Sequence, residues 1–323
     1  MAEPRLEAPE LTVVIPAYNE QESIGPMYRR LVAALELRVD GLEVLFVDDG
    51  SRDATWQRIS ELAARDRRVR GIRFARNFGH QAALTAGVDA AAGRAVVIID
   101  ADLQDPPEVI PDMLDRWREG FEVVYGQREE REGETAFKKA TAAAFYRLLR
   151  RITSVEIPVD TGDFRLMGPR AVAAFRSLPE HNRFIRGLVA WIGFPQTAVR
   201  YHRHARQAGE TKYPLRRMVR FALDGITSFS FLPLRLATWL GFGVSLLSFL
   251  YIVVVIVLKL LGINWPGYTS MTASILFLGG VQLVMIGVLG EYVARIFDEV
   301  KRRPLYLVGE STDGAASVTP PER

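Results

Sequence analysis

Asp100 and Asp102 form an Asp-x-Asp in IIDADLQDPPE, after an uninterrupted apolar run and before a Pro-Pro stop. Two hard carboxylates at the mouth of a strand suit Mg2+ or Mn2+ bridging a diphosphate, with water and phosphate oxygens completing the shell. Gln104 and Asp105 extend that donor set. Such pairs elsewhere cap turns or helices; the VVII run before and the prolines after favour the metal reading. A second constellation, VDDGS, admits two compatible readings. Asp48 and Asp49 end a strand, with Gly50 at positive φ and Ser51 capping a helix. The same carboxylates suit the ribose hydroxyls or base N–H groups of a nucleoside. Other chemistries find no support. The only GxG, Gly241 and Gly243, lies in an apolar run, and there is no Walker A loop. With no cysteine there is no disulfide, thiolate metal site or thiol nucleophile.

The elements that must position these residues are legible from alternation. LTVVIP reads as a buried strand and Glu22 to Leu37 as a helix; LEVLFVDD is a strand, followed by a helix from Ala54 to Ala64 with Ser51 or Asp53 as N-cap. VRGIRF, RAVVIIDAD and FEVVYG are further strands, separated by helices from about Gln81 to Ala92 and from Glu108 to Arg118. Strands alternating with helices predict an α/β domain with a mostly parallel sheet covered on both faces. Ligands in such sheets bind beyond the carboxyl ends of the strands. That rule singles out PAYNE, DDGS, DADLQD and GQR.

The composition is 49% apolar and 24% charged, with a net charge of +3 over 323 residues. That balance excludes wholesale disorder and gives no argument for a nucleic-acid partner. It averages over a split, because charge disappears from Leu236 to Leu258 and again between Lys259 and Glu291. Both runs are long enough to cross hydrocarbon, and core helices seldom stay uncharged over such a length. Arg216, Arg217, Arg220 and Arg235 precede the first run; Arg295, Lys301, Arg302 and Arg303 follow the second. Basic outer flanks predict a hairpin with both ends in the cytoplasm, and Trp239, Trp265, Tyr268 and Tyr292 stand where interfacial aromatics would. MAEPRLEAPE has no apolar core of the kind a secretory signal needs.

From Arg200 to Arg220 seven Lys or Arg stand against one acid, Glu210, and alternate with Tyr213, Leu215, Met218 and Val219. Just before a membrane span this reads as amphipathic interfacial helices rather than a solvated face. His202 and His204 would share a strand face, but two histidines without further ligands do not define a metal site.

PAYNE, VDDGS, RNFGHQAALTAG, DADLQDPPE, YGQR, TGDFRLM and GETKY, in that order, resemble the family 2 glycosyltransferases of GT-A fold. Within them the chain is similar to the polyprenyl-phosphate glycosyltransferases, the bactoprenol glucosyltransferases and dolichol-phosphate mannose synthases. The resemblance covers about residues 11 to 300. It implies a GT-A domain, Rossmann-like with a mostly parallel sheet, over 11–205, after a disordered 1–10. Basic interfacial helices over 206–233, two transmembrane helices within 234–295 (about 236–258 and 271–293) and a cytoplasmic tail over 296–323 would follow.

By that resemblance Pro16, Ala17, Tyr18 and Glu20 line the nucleotide sugar, with Asp49 at base or ribose and Asp100, Ala101 and Asp102 beside it. Asp100, Asp102 and Gln104 hold the metal and diphosphate. Arg128, Arg165, Arg206 and Lys212 neutralise donor or acceptor phosphates. Asp163, with Asp160 close behind, is the candidate catalytic carboxylate; a lipid phosphate is already largely ionised at neutral pH, so Asp163 can equally orient the acceptor. DTGDFR also admits a bland reading, a turn with Asx caps.

The implied activity is inverting transfer of one sugar from a nucleotide donor, UDP-glucose by closeness to the glucosyltransferases, to polyprenyl phosphate at the cytoplasmic face of the plasma (inner) membrane. GDP-mannose or another nucleotide sugar is the alternative donor. A catalytically silent nucleotide-binding scaffold is the alternative of another class. A processive synthase would carry QxxRW and more spans, neither of which is present. Gly279, Gly280, Gly287 and Gly290 allow close helix approach, and with the family they favour a homo-oligomer.

Overall fold

The computed structural model describes residues 8–128, 161–180, 183–202, 232–262 and 267–314. Four apolar runs become strands β1 (Leu11–Ala17), β2 (Leu42–Asp48), β3 (Val69–Phe74) and β4 (Ala95–Ile98). Between them lie helices α1 (Ile24–Leu35), α2 (Thr55–Arg65) and α3 (His80–Ala90). A short 3-10 turn at Pro107–Val109 leads into α4 (Ile110–Arg118), and β5 (Val123–Arg128) follows. Then come β6 (Thr161–Met167), α5 (Pro169–Ser177), α6 (Ile185–Ile192) and β7 (Gln196–Tyr201). Two long helices, α7 (Leu232–Leu260) and α8 (Tyr268–Lys301), precede the last strand, β8 (Val308–Ser311).

The eight strands form one sheet in the order β7-β5-β6-β4-β1-β2-β3-β8. β1, β2 and β4 are buried along their whole length, as continuous apolar runs covered on both faces must be. On one face Ile24, Met27 and Leu31 of α1, Ile59 of α2 and Met113 of α4 pack against Val13, Ile15, Val44 and Val97. On the other Leu84 and Val88 of α3, Val172 and Phe175 of α5 and Leu188 of α6 pack against Val14, Leu45, Val96 and Ile98. The expected helix–strand alternation stands, and the expected parallel pairings hold for β1 with β2 and β4, and for β2 with β3.

Three differences matter. TGDFRLM is a fully buried strand, not a turn, and runs antiparallel between β4 and β5. Its interior mixes Gly, Asp and Arg with Phe, Leu and Met, so no simple period marks it as a strand. Second, the tail expected beyond the hairpin contributes β8, antiparallel to β3 at the sheet's edge. VGES is too short and polar to announce itself; the free edge of β3 organises it. Third, the N-cap position of α2 is Ala54, which offers no side-chain cap. Asp53 instead accepts from the Thr55 N–H (3.0 Å), while the Ser51 hydroxyl is taken by the Asn19 N–H at 2.9 Å.

The contact of α3 with β1 needs Gly87. A Cβ there would lie 2.1 Å from Cγ1 of Val14, which is fully buried. Gly87→Ala is therefore expected to cost about 3 kcal/mol through overpacking. Chemical denaturation should show an earlier midpoint with unchanged slope.

Helices α7 and α8 contain stretches of 27 residues (Leu234–Leu260) and 29 residues (Ala273–Lys301) apolar enough to cross a membrane, and neither is buried inside the protein. Core helices would have been covered. The two touch where Gly241 faces Met285.

Candidate active site

The sheet reverses direction of progression between β1 and β4: β2 and β3 follow on one side of β1, while β4 lies on the other. At such a switch point the loops leaving the two strands diverge and open a crevice at their carboxyl ends. β1 delivers Pro16, Ala17, Tyr18 and Glu20 there, and β4 delivers Asp100, Ala101 and Asp102. Because β6 is antiparallel, its beginning rather than its end lies at this mouth. Arg165 pairs with Ile98, so two residues further out Asp163 comes beside Asp100.

Around these carboxylates the described residues build a chain of alternating charge. Nε of Arg186, from α6, donates to Asp163 Oδ1 at 2.9 Å and its Nη2 to Oδ2 at 3.3 Å. Nε2 of His80, at the start of α3, lies 3.2 Å from Asp163 Oδ2 and 3.6 Å from Asp100 Oδ1. Asp163 is only 5% exposed. Burial alone would raise its pKa, but Arg186 and His80 overcome that and hold it well below the usual carboxylate range. Burial likewise lowers the His80 imidazole while Asp100 and Asp163 raise it further, for a net upward shift. The His80 side chain is 44% exposed at the rim of the crevice, so water tempers that shift. Asp100 is pushed up to about 6, first by burial, partly offset by His80 and reinforced by the neighbouring carboxylates.

The acidic pair itself fits a cation. Asp100 Oδ1 is shielded from water and accepts no hydrogen bond, with His80 Nε2 beyond hydrogen-bond reach at 3.6 Å; a carboxylate oxygen so placed suits direct coordination of a cation. Asp102 Oδ1 accepts the Gln104 N–H at 3.1 Å, closing a tight turn. That turn forces Leu103 to φ +61°, a left-handed conformation unusual for leucine. Among the described residues no three His, Cys, Asp or Glu side chains converge into a closed metal cage. A cation here would draw its remaining ligands from water and phosphate.

Several expected site residues take different parts. Asp49, expected at base or ribose, is 3% exposed, and accepts from the Phe78 N–H at 2.7 Å and the Gly79 N–H at 3.0 Å. It fixes the RNFGH loop that carries His80. Asp105, expected near the cation, is buried and accepts the Tyr201 hydroxyl at 2.5 Å. Arg165, expected to bind phosphate, is 4% exposed and donates to the Gly162 carbonyl at 3.0 Å. It braces the strand behind Asp163, and burial pulls its pKa down to about 10.

Arg128 does reach the site region, with Nε 3.3 Å from the Tyr201 hydroxyl and Nη2 3.7 Å from Asp105. Tyr18 is 43% exposed at the end of β1, and Glu20 accepts the Ser23 hydroxyl at 2.9 Å. Asp160, Arg206 and Lys212, like residues 206–231 of the expected interfacial helices, lie outside the described residues, while Leu232 and Pro233 already belong to α7.

Sequence reasoning missed His80, Arg186 and Tyr201. RNFGHQAALTAG stands out as a motif, but nothing in its spacing assigns its histidine a role. Arg186 sits in a segment with no motif, and only its contact across 23 residues to Asp163 shows its use.

Gly162 gives Arg128 its room, since a Cβ there would stand 2.7 Å from Arg128 Nη2. Gly162→Ala should leave the fold intact and swing the guanidinium off Tyr201 and Asp105. An anion held by Arg128 should then bind about tenfold more weakly, the scale of one charged hydrogen bond. Unchanged anion affinity in a phosphate titration would remove Arg128 from phosphate binding.

A switch point between β1 and β4, an acidic pair at its mouth and two uncovered apolar helices fit what the family match shows, a membrane-associated glycosyltransferase of GT-A fold. The chain belongs to glycosyl transferase family 2, which matches residues 12–174, and carries a GtrB C-terminal hairpin over residues 232–296. It is 50% identical to the uncharacterized glycosyltransferase YkcC of Bacillus subtilis, over 94% of each chain. The SfII prophage-derived bactoprenol glucosyl transferase of Shigella flexneri is 44% identical, over 94% of this chain and 99% of that one. The prophage bactoprenol glucosyl transferase homolog of Escherichia coli is 41% identical, over 93% and 98%.

Proposed function

We propose that this protein transfers a single sugar, glucose from UDP-glucose, to polyprenyl phosphate on the cytoplasmic face of the plasma membrane, with inversion at the anomeric carbon. One observation carries the reading: Asp100 of the acidic pair lies 3.6 Å from His80 Nε2 and so joins the Arg186–Asp163–His80 chain at one strand mouth, on a polypeptide that also bears the apolar hairpin. The relatives named as bactoprenol glucosyl transferases, similar along nearly the whole chain, support the lipid acceptor and the choice of glucose.

In this reading Pro16, Ala17, Tyr18 and Glu20 line the nucleotide, and Asp100, Asp102 and Gln104 hold Mg2+ or Mn2+. Such an ion, when bound, would supply charge stabilisation to a departing diphosphate. A phosphate oxygen of the lipid forms the bond to the anomeric carbon as the bond to the nucleoside diphosphate breaks. No proton need be removed, because the phosphate is ionised. Asp163, locked by Arg186 and His80, is an anchor rather than a base. Arg128, with Arg206 and Lys212, would meet the acceptor phosphate, and the basic residue types between Arg203 and Arg220 suit anionic lipid headgroups. A Cβ added at Gly279, Gly280, Gly287 or Gly290 would meet none of the described residues within 4 Å, which leaves these glycines open to a second copy in a homo-oligomer.

The test is the purified full-length protein in detergent with Mg2+ or Mn2+, polyprenyl phosphate and a panel of UDP- and GDP-sugars. Lipid-linked glucose from UDP-glucose alone is expected. Product only from GDP-mannose would change the donor; no product from any donor would favour the silent scaffold.

A further inference from the structure

The strand that follows the membrane hairpin reaches the wall of the nucleotide crevice through a single arginine. Helix α8 ends at Arg302, left-handed at φ +48°, and the chain then turns back to the sheet. Tyr306 is buried and stacks on Phe74 with ring centroids 5.0 Å apart. The Ala75 N–H donates to the Leu307 carbonyl at 2.9 Å. Further along, Arg70 meets Asp313 at 2.7 Å, and the Gly71 N–H donates to the Thr312 hydroxyl at 2.9 Å.

Within this fastening, Glu310 stands directly across from Arg73 in the β3–β8 register. Its Oε1 accepts from Arg73 Nη1 at 2.8 Å, and its Oε2 from the Trp56 indole N–H at 2.9 Å. The same guanidinium turns inward as well. Arg73 Nη2 donates to the Ser51 carbonyl at 3.3 Å, and Nε lies 3.4 Å from Asp48 Oδ2. Asp48 is fully buried, and that oxygen has no hydrogen-bond donor. Asp48 Oδ1 accepts the Ser51 N–H at 2.9 Å. Arg73 therefore closes the Asp48–Ser51 turn from outside, while Asp49 within the turn holds the Phe78 and Gly79 amides.

We propose that Glu310 is a positioning residue for nucleotide binding: the post-hairpin strand orients Arg73, and Arg73 sets the Asp48–Ser51 turn, whose Ser51 hydroxyl accepts the Asn19 N–H at 2.9 Å and so holds the loop that carries Tyr18 and Glu20 of the donor site. The inference rests on the donor reading above and adds to it a dependence of that site on the segment beyond the membrane helices. A charged cross-strand pair has the geometry to do this, and the guanidinium fork can serve Glu310 and Ser51 at once.

The experiment titrates UDP, in the presence of Mn2+, into the full-length protein and a set of variants in detergent. Glu310→Gln keeps shape and hydrogen-bonding capacity but loses the charge. UDP should bind it about fivefold more weakly, the scale of a network residue that touches no ligand. The KM for donor should rise in step, kcat should hold, and the unfolding temperature should stay near wild type. Arg73→Gln should weaken binding at least as much, and adding Glu310→Gln to it should bring no further loss. Trp56→Phe removes the indole bond to Glu310 without touching Arg73 and should bind UDP as wild type does. Equal affinity in wild type and Glu310→Gln would overturn the proposal, as would a loss in Trp56→Phe matching that of Glu310→Gln. A wild-type protein that binds no UDP would overturn the donor reading and this inference together.

Discussion

Replacing Asp102 by Asn should lower turnover by at least about a thousandfold, the scale of losing a metal-held charge from a diphosphate site. The substitution is nearly isosteric. Its oxygen can still accept the Gln104 N–H that closes the turn at 3.1 Å, so the left-handed Leu103 and the buried Asp105 beyond it should keep their places. What changes is one negative charge where a divalent cation and a diphosphate would meet. The measurement has two parts: steady-state transfer with saturating donor and acceptor, and Mn2+ binding followed by its paramagnetic signal. Both should fall while membrane insertion and the unfolding midpoint stay near wild type. Normal turnover would remove Asp102 from the metal site.

Asp163→Asn should reduce kcat about a hundredfold for a different reason. Asp163 holds Arg186 through two bonds and His80 through a third. Asparagine offers one acceptor and no charge, so both cations lose their shared counterion and drift. The carboxylate's depressed pKa also separates anchor from base. A base that far below neutrality has little affinity for a proton at working pH. The pH–rate profile of the variant should therefore keep the wild-type shape at a lower level. Loss of a titrating limb, with recovery in Asp163→Glu, would establish a base instead.

The same pairing sets a stability difference. Breaking a buried ion pair costs about 3 kcal/mol. Because the folded pKa is lowered, that stabilisation is fully present above the ordinary carboxylate value near about 4 and fades as pH falls below it. Denaturation midpoints of wild type and Asp163→Asn should differ at pH 7 and converge only in acid.

Much of the site is legible in the sequence alone. The Asp-x-Asp at Asp100 and Asp102 stands at a strand's end because an apolar run and a proline stop frame it, and both signals are local. The glycine of VDDGS, expected at positive φ, has φ +69°. The roles of Asp49, Asp105 and Arg165 are not legible there. Each is a charged residue in the right motif whose side chain turns to serve the protein's own amides, hydroxyls or carbonyls. Residue type tells what a side chain can bind; burial decides whether a ligand or the backbone takes it.

Sequence by itself determined the alternating α/β domain, the acidic pair at a strand mouth and the apolar hairpin. Period, run length and charge-free spans are written within a few consecutive residues. Only the tertiary structure decided that β6 enters antiparallel and sets Asp163 beside Asp100. It alone gave Asp163 its partners His80 and Arg186, 83 and 23 residues away. It also sent the chain back past the hairpin to join Glu310 to Arg73 across 237 positions. Such pairings follow from strand order and free sheet edges, which arise only when the whole chain has packed.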